Sequence, residues 1–215
     1  MSGMPHLWPL FDLRIVTPRL DLRLARDDEL VELAKVAAAG LHPADQMPFA
    51  VPWTRQPSPQ LERGFLQFHW RTRGELTAES WRLPLACFAG GTAVGTQDVG
   101  ADDFAIRRHV STGSWLGAAH QRQGIGTEMR AAVLHLAFDG LGAESAASSA
   151  GDDNPGSIRV SETLGYVDDG FDVHASEGRR RRVRRFVLPR ERWLETRRDD
   201  IRIEGLDGCR RLLGA

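Results

Sequence analysis

Apolar and charged residues alternate through RLDLRLA from Arg19, a period-two pattern that predicts a strand with one buried face. RDDELVELAKVAAAG follows, with Leu30, Leu33, Ala34 and Ala37 at helical spacing, Asp27 or Asp28 placed to cap and Gly40 to terminate. Prolines recur from His42 to Pro59 and predict a loop. SPQLERGFLQFHWRTRGEL reads as a second helix with Pro59 in its first turn and Leu61, Phe65, Phe68 and Leu76 on one side. RLPLACFA, then Gly90-Gly91, then TAVGTQDVGA reads as a hairpin. RHVSTGSWLG is the next strand, GTEMRAAVLHLAFDGL a helix, AESAASSA a strand and SIRVSETLG a short helix. YVDDGFDVHA and RRVRRFVLP predict a closing antiparallel pair, and RERWLETRRDDI a last helix. Residues 1–18, with Pro5, Pro9 and Pro18, read as irregular. Hairpins joined to one β-α-β passage imply a mixed α/β sheet with helices on both faces.

Composition narrows the function classes. The chain has 215 residues, 41% of them apolar, enough for one domain with a real core. A formal net charge of -1 argues against non-specific nucleic-acid or membrane binding, and no apolar run reaches the ~18 residues of a membrane span. Cys87 and Cys209 fit neither a zinc pattern nor a disulfide framework, so reduced thiols, no metal and a cytoplasmic location are expected. Lys35 is the only lysine, and the arginine excess reads as genomic composition. In EGRRRRVRRF from Glu177, alternation places Arg180, Arg182 and Arg184 on one face and predicts a solvated hairpin or a rim facing an anionic ligand.

The chemistry concentrates where a strand becomes a helix, in GSWLGAAHQRQGIGTEMR. A helix N-terminus presents unpaired N–H groups and partial positive charge, which suit phosphate. Gly124 and Gly126 clear the approach, while Gln121, Arg122 and Gln123 add donors. A plain strand-to-helix turn accounts for these six residues equally well. A Walker loop is excluded because Thr127, not lysine, follows Gly126; a dinucleotide fingerprint is excluded because Met129 holds the third glycine's place.

A second segment, NPGSIRVSETLGY from Asn154 to Tyr166, favours the phosphate reading. Together the two segments resemble the GCN5-related N-acetyltransferase (GNAT) family. Its clamp, Gln/Arg-x-x-Gly-x-Gly/Ala, is matched by Gln121, Gly124 and Gly126. Its later signature, an Asn opening a short helix that ends in Leu-Gly-aromatic, is matched by Asn154 and Leu164-Gly165-Tyr166. TPRLDLRLA and SWLG resemble the RimJ/RimL branch, and the resemblance spans 17–193, leaving an N-terminal extension over 1–16 and a helical tail over 194–215.

The resemblance implies the GNAT fold, a mostly antiparallel twisted sheet whose central parallel pair, here Ser111–Leu116 and Ala143–Ala150, is splayed around the pantetheine arm. It implies that Trp115, Leu116, Gly117, the run Gln121 to Thr127 (Arg122, Gln123 and Ile125 included), Asn154 and Ser157 hold the CoA thioester. It further implies that the Leu116 N–H polarises the thioester carbonyl and that an amine attacks directly. The family's acid, a tyrosine seven residues after the Asn, is replaced by Ser161, and the branch's strand glutamate by Thr112. His109 and Asp98 are the candidate bases, with a water chain as the alternative. The expected donor is acetyl-CoA, with succinyl-CoA as rival: Arg55, His69, Arg82 and His109 are cationic candidates for a second carboxylate. The partners expected are that donor and an amine acceptor, on a protein or a small molecule; a homo-oligomer stays open. Trp53, Phe65, Phe68 and Trp70 are expected in the acceptor wall or the core. Two other classes stand beside this one: a non-catalytic acyl-CoA sensor, and a phosphate-binding module of another family.

Overall fold

A nine-stranded sheet organises the chain, in the order β7-β8-β6-β5-β4-β3-β2-β1-β9. The structure is a computed structural model and describes residues 7–215; Pro5 lies outside the described residues. The strands are β1 (Arg14–Val16), β2 (Leu20–Arg23), β3 (Ser80–Ala89), β4 (Thr92–Asp102), β5 (His109–Leu116), β6 (Ser145–Gly151), β7 (Val167–Ser176), β8 (Arg179–Pro189) and β9 (Arg202–Glu204). Every pairing is antiparallel except β5 with β6. The α-helices are α1 (Asp27–Ala38), α2 (Gln60–Gly74), α3 (Phe104–Arg107), α4 (Ile125–His135), α5 (Pro155–Thr163) and α6 (Arg190–Thr196).

Two cores follow from strand alternation. One face of the sheet offers Leu83, Leu85, Val99, Val110 and Ala146 to Met129, Val133 and Leu136 of α4 and the turn after it. The other face offers Ala86, Phe88 and Ala93, with Trp115, to Leu30, Leu33 and Ala34 of α1 and Phe65 of α2. The apolar stripe of α1 is buried as its spacing predicts. In α2 the inward row is Leu61, Phe65 and His69, so a histidine takes the position expected for Phe68.

The chain ends depart from the sequence expectation. Residues 14–16, read as irregular, form β1, and the expected helical tail over 194–215 instead leaves α6 at Thr196 and adds β9 along β1. Both segments extend the sheet at one edge and close it over Leu10, Leu13 and Leu213, all fully buried. Strand β4 also bulges at Val94, opposite Cys87/Phe88 of β3, and Gly95 just beyond packs so closely on β5 that an added Cβ would fall within 3.0 Å of the Leu116 Cα.

Candidate active site

Strands β5 and β6 pair at only three positions, His109 with Ser145, Val110 with Ala146 and Ser111 with Ala147. Beyond these β5 continues against β4 to Leu116, and β6 continues against β8 to Gly151. The two strands therefore separate after Ser111 and Ala147, and each keeps a partner only on its outer side. On β5, the Gly117 N–H donates to the Val94 carbonyl across the β4 pairing. Alternation along an antiparallel ladder then turns the amides of Leu116, Ser114 and Thr112 to the opposite edge, toward β6. The Leu116 N–H expected to meet a thioester thus lies on the edge of the gap. The Leu116 carbonyl is taken up at 2.8 Å by Gln121 Nε2.

The turn into α4 stands at the open end of this gap. Gly124 is the N-cap, with φ 78°, a left-handed conformation that glycine adopts without strain. No side chain caps α4, so its first N–H groups have no intrahelical partner. Arg122, exposed and also at positive φ, leads into the turn. Two of the expected donors serve the loop itself: Gln121 Nε2 also donates to Leu41 O and Gln123 Nε2 to Ala119 O. The turn is braced from below by Arg19, which donates to the Gln123 carbonyl and, through Nε at 2.6 Å, to Glu128. Glu128 is buried, which raises its pKa, yet bonds from Thr17 and Arg19 outweigh burial and hold it below the ordinary value. Ile125 is buried, and Gly126 and Thr127 are half-buried at the helix start.

Helix α5 begins at Asn154, whose Oδ1 accepts the Ser157 N–H at 3.1 Å, an N-cap that fixes the helix beside the gap. Ser161 is fully buried and donates back to the Ser157 carbonyl at 3.3 Å. Tyr166, the only tyrosine, reaches the spot where the strands part: its hydroxyl lies 3.4 Å from Thr112 Oγ1, which donates to Ala147 O. The aromatic position that closes Leu164-Gly165-Tyr166 therefore brings a phenol to the gap.

On the α1/α2 face, Asp98 lies directly across β4–β5 from Gly113. Its side chain is 19% exposed and 3.7 Å from Arg82 Nη1. Burial pushes its pKa up to about 6, against the opposing pull of Arg82 and Arg130. His109 instead sits at the closed end of the parallel pair, where Nδ1 lies 2.7 Å from Ser145 Oγ; burial and then the Arg107 charge hold its pKa low. Trp115 points to the same face as Asp98 and packs on Trp53 and Phe65, with ring centroids 6.2 and 5.8 Å away. Gly117 lies two residues further on, and a Cβ there would press on Val36 at 2.7 Å. Trp70 stands apart, half-exposed and bonded to Asp27.

The loop before α2 is tied over this face. Arg55 Nε meets Glu177 at 2.8 Å on the β7–β8 turn, and Arg181 donates to the Phe49 carbonyl. The arginine run of β8 is matched by its neighbours, with Arg181, Arg182, Arg184 and Arg185 beside Asp153, Asp152, Asp168 and Asp172. Among the described residues no helix is long and apolar enough to cross a membrane, and no group of three or more His, Cys, Asp or Glu is gathered as for a metal.

A second buried charge of α4, like Glu128, was not singled out from the sequence. Arg130 of α4, 2% exposed, reaches Ser148 Oγ at 2.8 Å, Ser114 Oγ at 3.2 Å and Gln97 Oε1 at 3.4 Å. An arginine inside the apolar run MRAAVLHLAF was its signal.

A family model described as an acetyltransferase (GNAT) domain matches residues 19–167. Solved structures share the architecture. RimL, a ribosomal alpha-N-protein acetyltransferase in complex with coenzyme A, is 17% identical with a TM-score of 0.64, over 81% of this chain and 96% of its own. A GCN5-related N-acetyltransferase from Brucella melitensis is 19% identical with a TM-score of 0.65, over 84% and 80%. A spermidine N-acetyltransferase chimera of Vibrio cholerae SpeG is 16% identical with a TM-score of 0.64, over 82% and 98%. With a strand pair that opens beside a glycine-capped helix and a family match across most of its length, this chain belongs to the GNAT acetyltransferase family.

Proposed function

We propose that the chain moves an acetyl group from acetyl-CoA directly to a primary amine, carried by a protein N-terminus, a lysine or a small molecule. The observation that carries this reading is the opening of β5 from β6 after Ser111 and Ala147, with the bare N-terminus of α4 at its mouth. The diphosphate sits on the N–H groups after Gly124, beside Arg122, and the pantetheine amides pair with the free edges of the two strands. The amine approaches from the α1/α2 face, between Asp98 and the Trp53–Trp115 wall. Asp98, with a pKa of about 6, is ionised at neutral pH and takes the amine proton. The nitrogen attacks the thioester carbon, the Leu116 N–H stabilises the oxyanion, and the C–S bond breaks with its electron pair on sulfur. RimL and SpeG, by their names, acetylate a protein N-terminus and spermidine, both amines.

Acetyl is favoured over succinyl by the state of the side chains that a second carboxylate needs. Arg55 is paired with Glu177, Arg82 stands beside Asp98, His109 lies at the closed end of the pair, and His69 is buried with its pKa pulled down to about 3. The sensor alternative draws on Thr112 and Ser161, whose hydroxyls are spent on backbone carbonyls. Thermal shift with CoA, acetyl-CoA and succinyl-CoA, followed by thiol release with a panel of amines, tests all three. We expect stabilisation by CoA compounds, acetyl-CoA at least as tight as succinyl-CoA, and amine-dependent turnover. Binding without turnover for any amine would favour the sensor, and no stabilisation would refute the CoA reading.

A further inference from the structure

Two charged side chains in α4 are almost wholly buried, Glu128 at 4% and Arg130 at 2% exposure. Glu128 has a counter-ion in Arg19. Arg130 has no carboxylate within ion-pair distance among the described residues: its contacts are two serines and a glutamine, and Asp98, whose pKa its charge helps to lower, lies on the other face of the sheet. A guanidinium carries five N–H donors, so three contacts leave two unused. Burying a cation without a matching anion is costly, and apolar residues of similar volume replace even paired buried ions at little or no loss of stability. A side chain kept at that cost calls for an anion that arrives from outside.

The location says where. Ser148 is the first residue of β6 beyond the last paired position, Ala147, and Ser114 is the third of β5 beyond Ser111. Arg130 thus bridges the two strands at the apex of their separation, from the α4 side, while Asp98 lies across the sheet on the other face. It stands six residues, ~9 Å of helix rise, from Gly124 at the mouth. An arm anchored by its phosphates at Gly124 and threaded between the strands brings its far end, the sulfur, to the apex.

We propose that Arg130 is the counter-ion of the CoA thiolate as the acyl group leaves, a role that rests on the acyltransferase reading above. Attack by the amine breaks the C–S bond, the electron pair stays on sulfur, and the guanidinium pairs with that charge without giving up a proton. The thiolate is protonated afterwards from solvent, and the amine's proton departs on the opposite face. The serine at 161 then has no acid duty to perform.

The test is the state of the thiol in the binary complex with CoA, read by the ultraviolet absorption of the thiolate between pH 6 and 8, with desulfo-CoA as reference ligand. The titratable neighbours are Asp98 and Tyr166, so the series is repeated in Asp98→Asn and in Tyr166→Phe, which also removes the chain's only tyrosinate signal. Free CoA thiol is mostly protonated in this range. The native protein is expected to bind CoA as thiolate, Arg130→Lys to retain that signature, and Arg130→Met to lose it. Arg130→Met should also lower kcat and CoA affinity ~10- to 100-fold, the scale of one charge-assisted contact, with desulfo-CoA affinity and Tm held at native levels. A protonated thiol in the native complex overturns the proposal by itself, whatever the variants do. So does a thiolate that survives in Arg130→Met, or a loss of desulfo-CoA affinity equal to the loss for CoA. Selective loss of succinyl-CoA affinity with the thiolate intact would instead assign Arg130 to an acyl carboxylate. No CoA binding by the native chain would refute the acyltransferase reading itself.

Discussion

Asp98 on β4 faces Gly113 on β5, and the missing side chain leaves the carboxylate uncovered on that flank: a Cβ at Gly113 would lie 3.9 Å from Oδ2. A base needs such an opening, since the amine must reach the oxygen and the thioester at once. With a weakly basic amine as acceptor, so that its own titration does not intrude, kcat/KM is expected to rise with pH through about 6 and then level. Asp98→Asn should abolish that limb and slow turnover by ~10²- to 10⁴-fold, the usual worth of a positioned base. A pH–rate profile of the variant that keeps the limb assigns the proton to water instead.

The same burial costs stability, and its sign is fixed. Asp98 keeps its proton up to about pH 6, whereas an ordinary aspartate releases it near 3.8. Between those values the native chain binds more protons than the unfolded one, so stability falls as pH rises, and the penalty is complete above about 6. Two pH units correspond to ~3 kcal/mol at most. Asp98→Asn should therefore raise Tm at pH 7.5 and leave it near native at pH 4. Melting curves at the two pH values check it; an equal shift at both would place the cause elsewhere.

The clamp is best tested at Gly126. Gly124 has positive φ and its Cβ would meet Arg19 Nη2 at 3.3 Å, so any side chain there adds strain to whatever else it does. At Gly126 a Cβ makes only an ordinary contact, 3.9 Å from Val160 Cγ2. Gly126→Asp puts a carboxylate in the first turn of α4, which the helix dipole favours by a few tenths of a kcal/mol, and sets it against the incoming phosphates. Tm without ligand should hold or rise slightly. The CoA-induced gain, ~2.7 kcal/mol at a hundredfold excess over Kd in the native protein, should vanish. A native-sized gain would refute the clamp.

Much of this frame is legible in the sequence because the signals are local. The α1 stripe, the Gly90-Gly91 hairpin and the strand–glycine–helix turn at Gly124 are each set by neighbours along the chain. What escapes is non-local or very short. Strands β1 and β9 have three residues each and exist only through pairing, β1 between β2 and β9 and β9 along β1. Helix α3 has four, held between Asp103 and Arg108 in left-handed conformations. The opening of β5 from β6 after Ser111 leaves no mark in periodicity and is anticipated only through the family resemblance, since it depends on which strand each edge finds. His109 is reachable by spacing as a base, yet only the register shows it at the closed end. Arg130 escapes for the same reason despite its place in the apolar run MRAAVLHLAF: a charge on a helix is read as exposed until its face is known to be the inner one.

His69 offers a test of the α1/α2 face. It is 1% exposed, Phe65 and Phe68 lie 4.5 and 5.5 Å from its ring, and both ring nitrogens are buried without a hydrogen-bond partner. Burial first, and the Arg73 charge second, pull its pKa from 6.5 down to about 3. Here the unfolded chain binds more protons across that window, so the contribution to stability is intact above pH 6.5 and is lost as pH falls toward 3. The full span is worth ~4–5 kcal/mol as an upper bound. His69→Leu removes the titration and also relieves two unsatisfied polar atoms, each costing ~1–3 kcal/mol, with a side chain of similar volume. Its Tm should exceed the native value at pH 7, and the difference should widen steadily on acidification to pH 4.5. If the two proteins lose stability in parallel over that range, His69 is not the group that takes up the proton on unfolding.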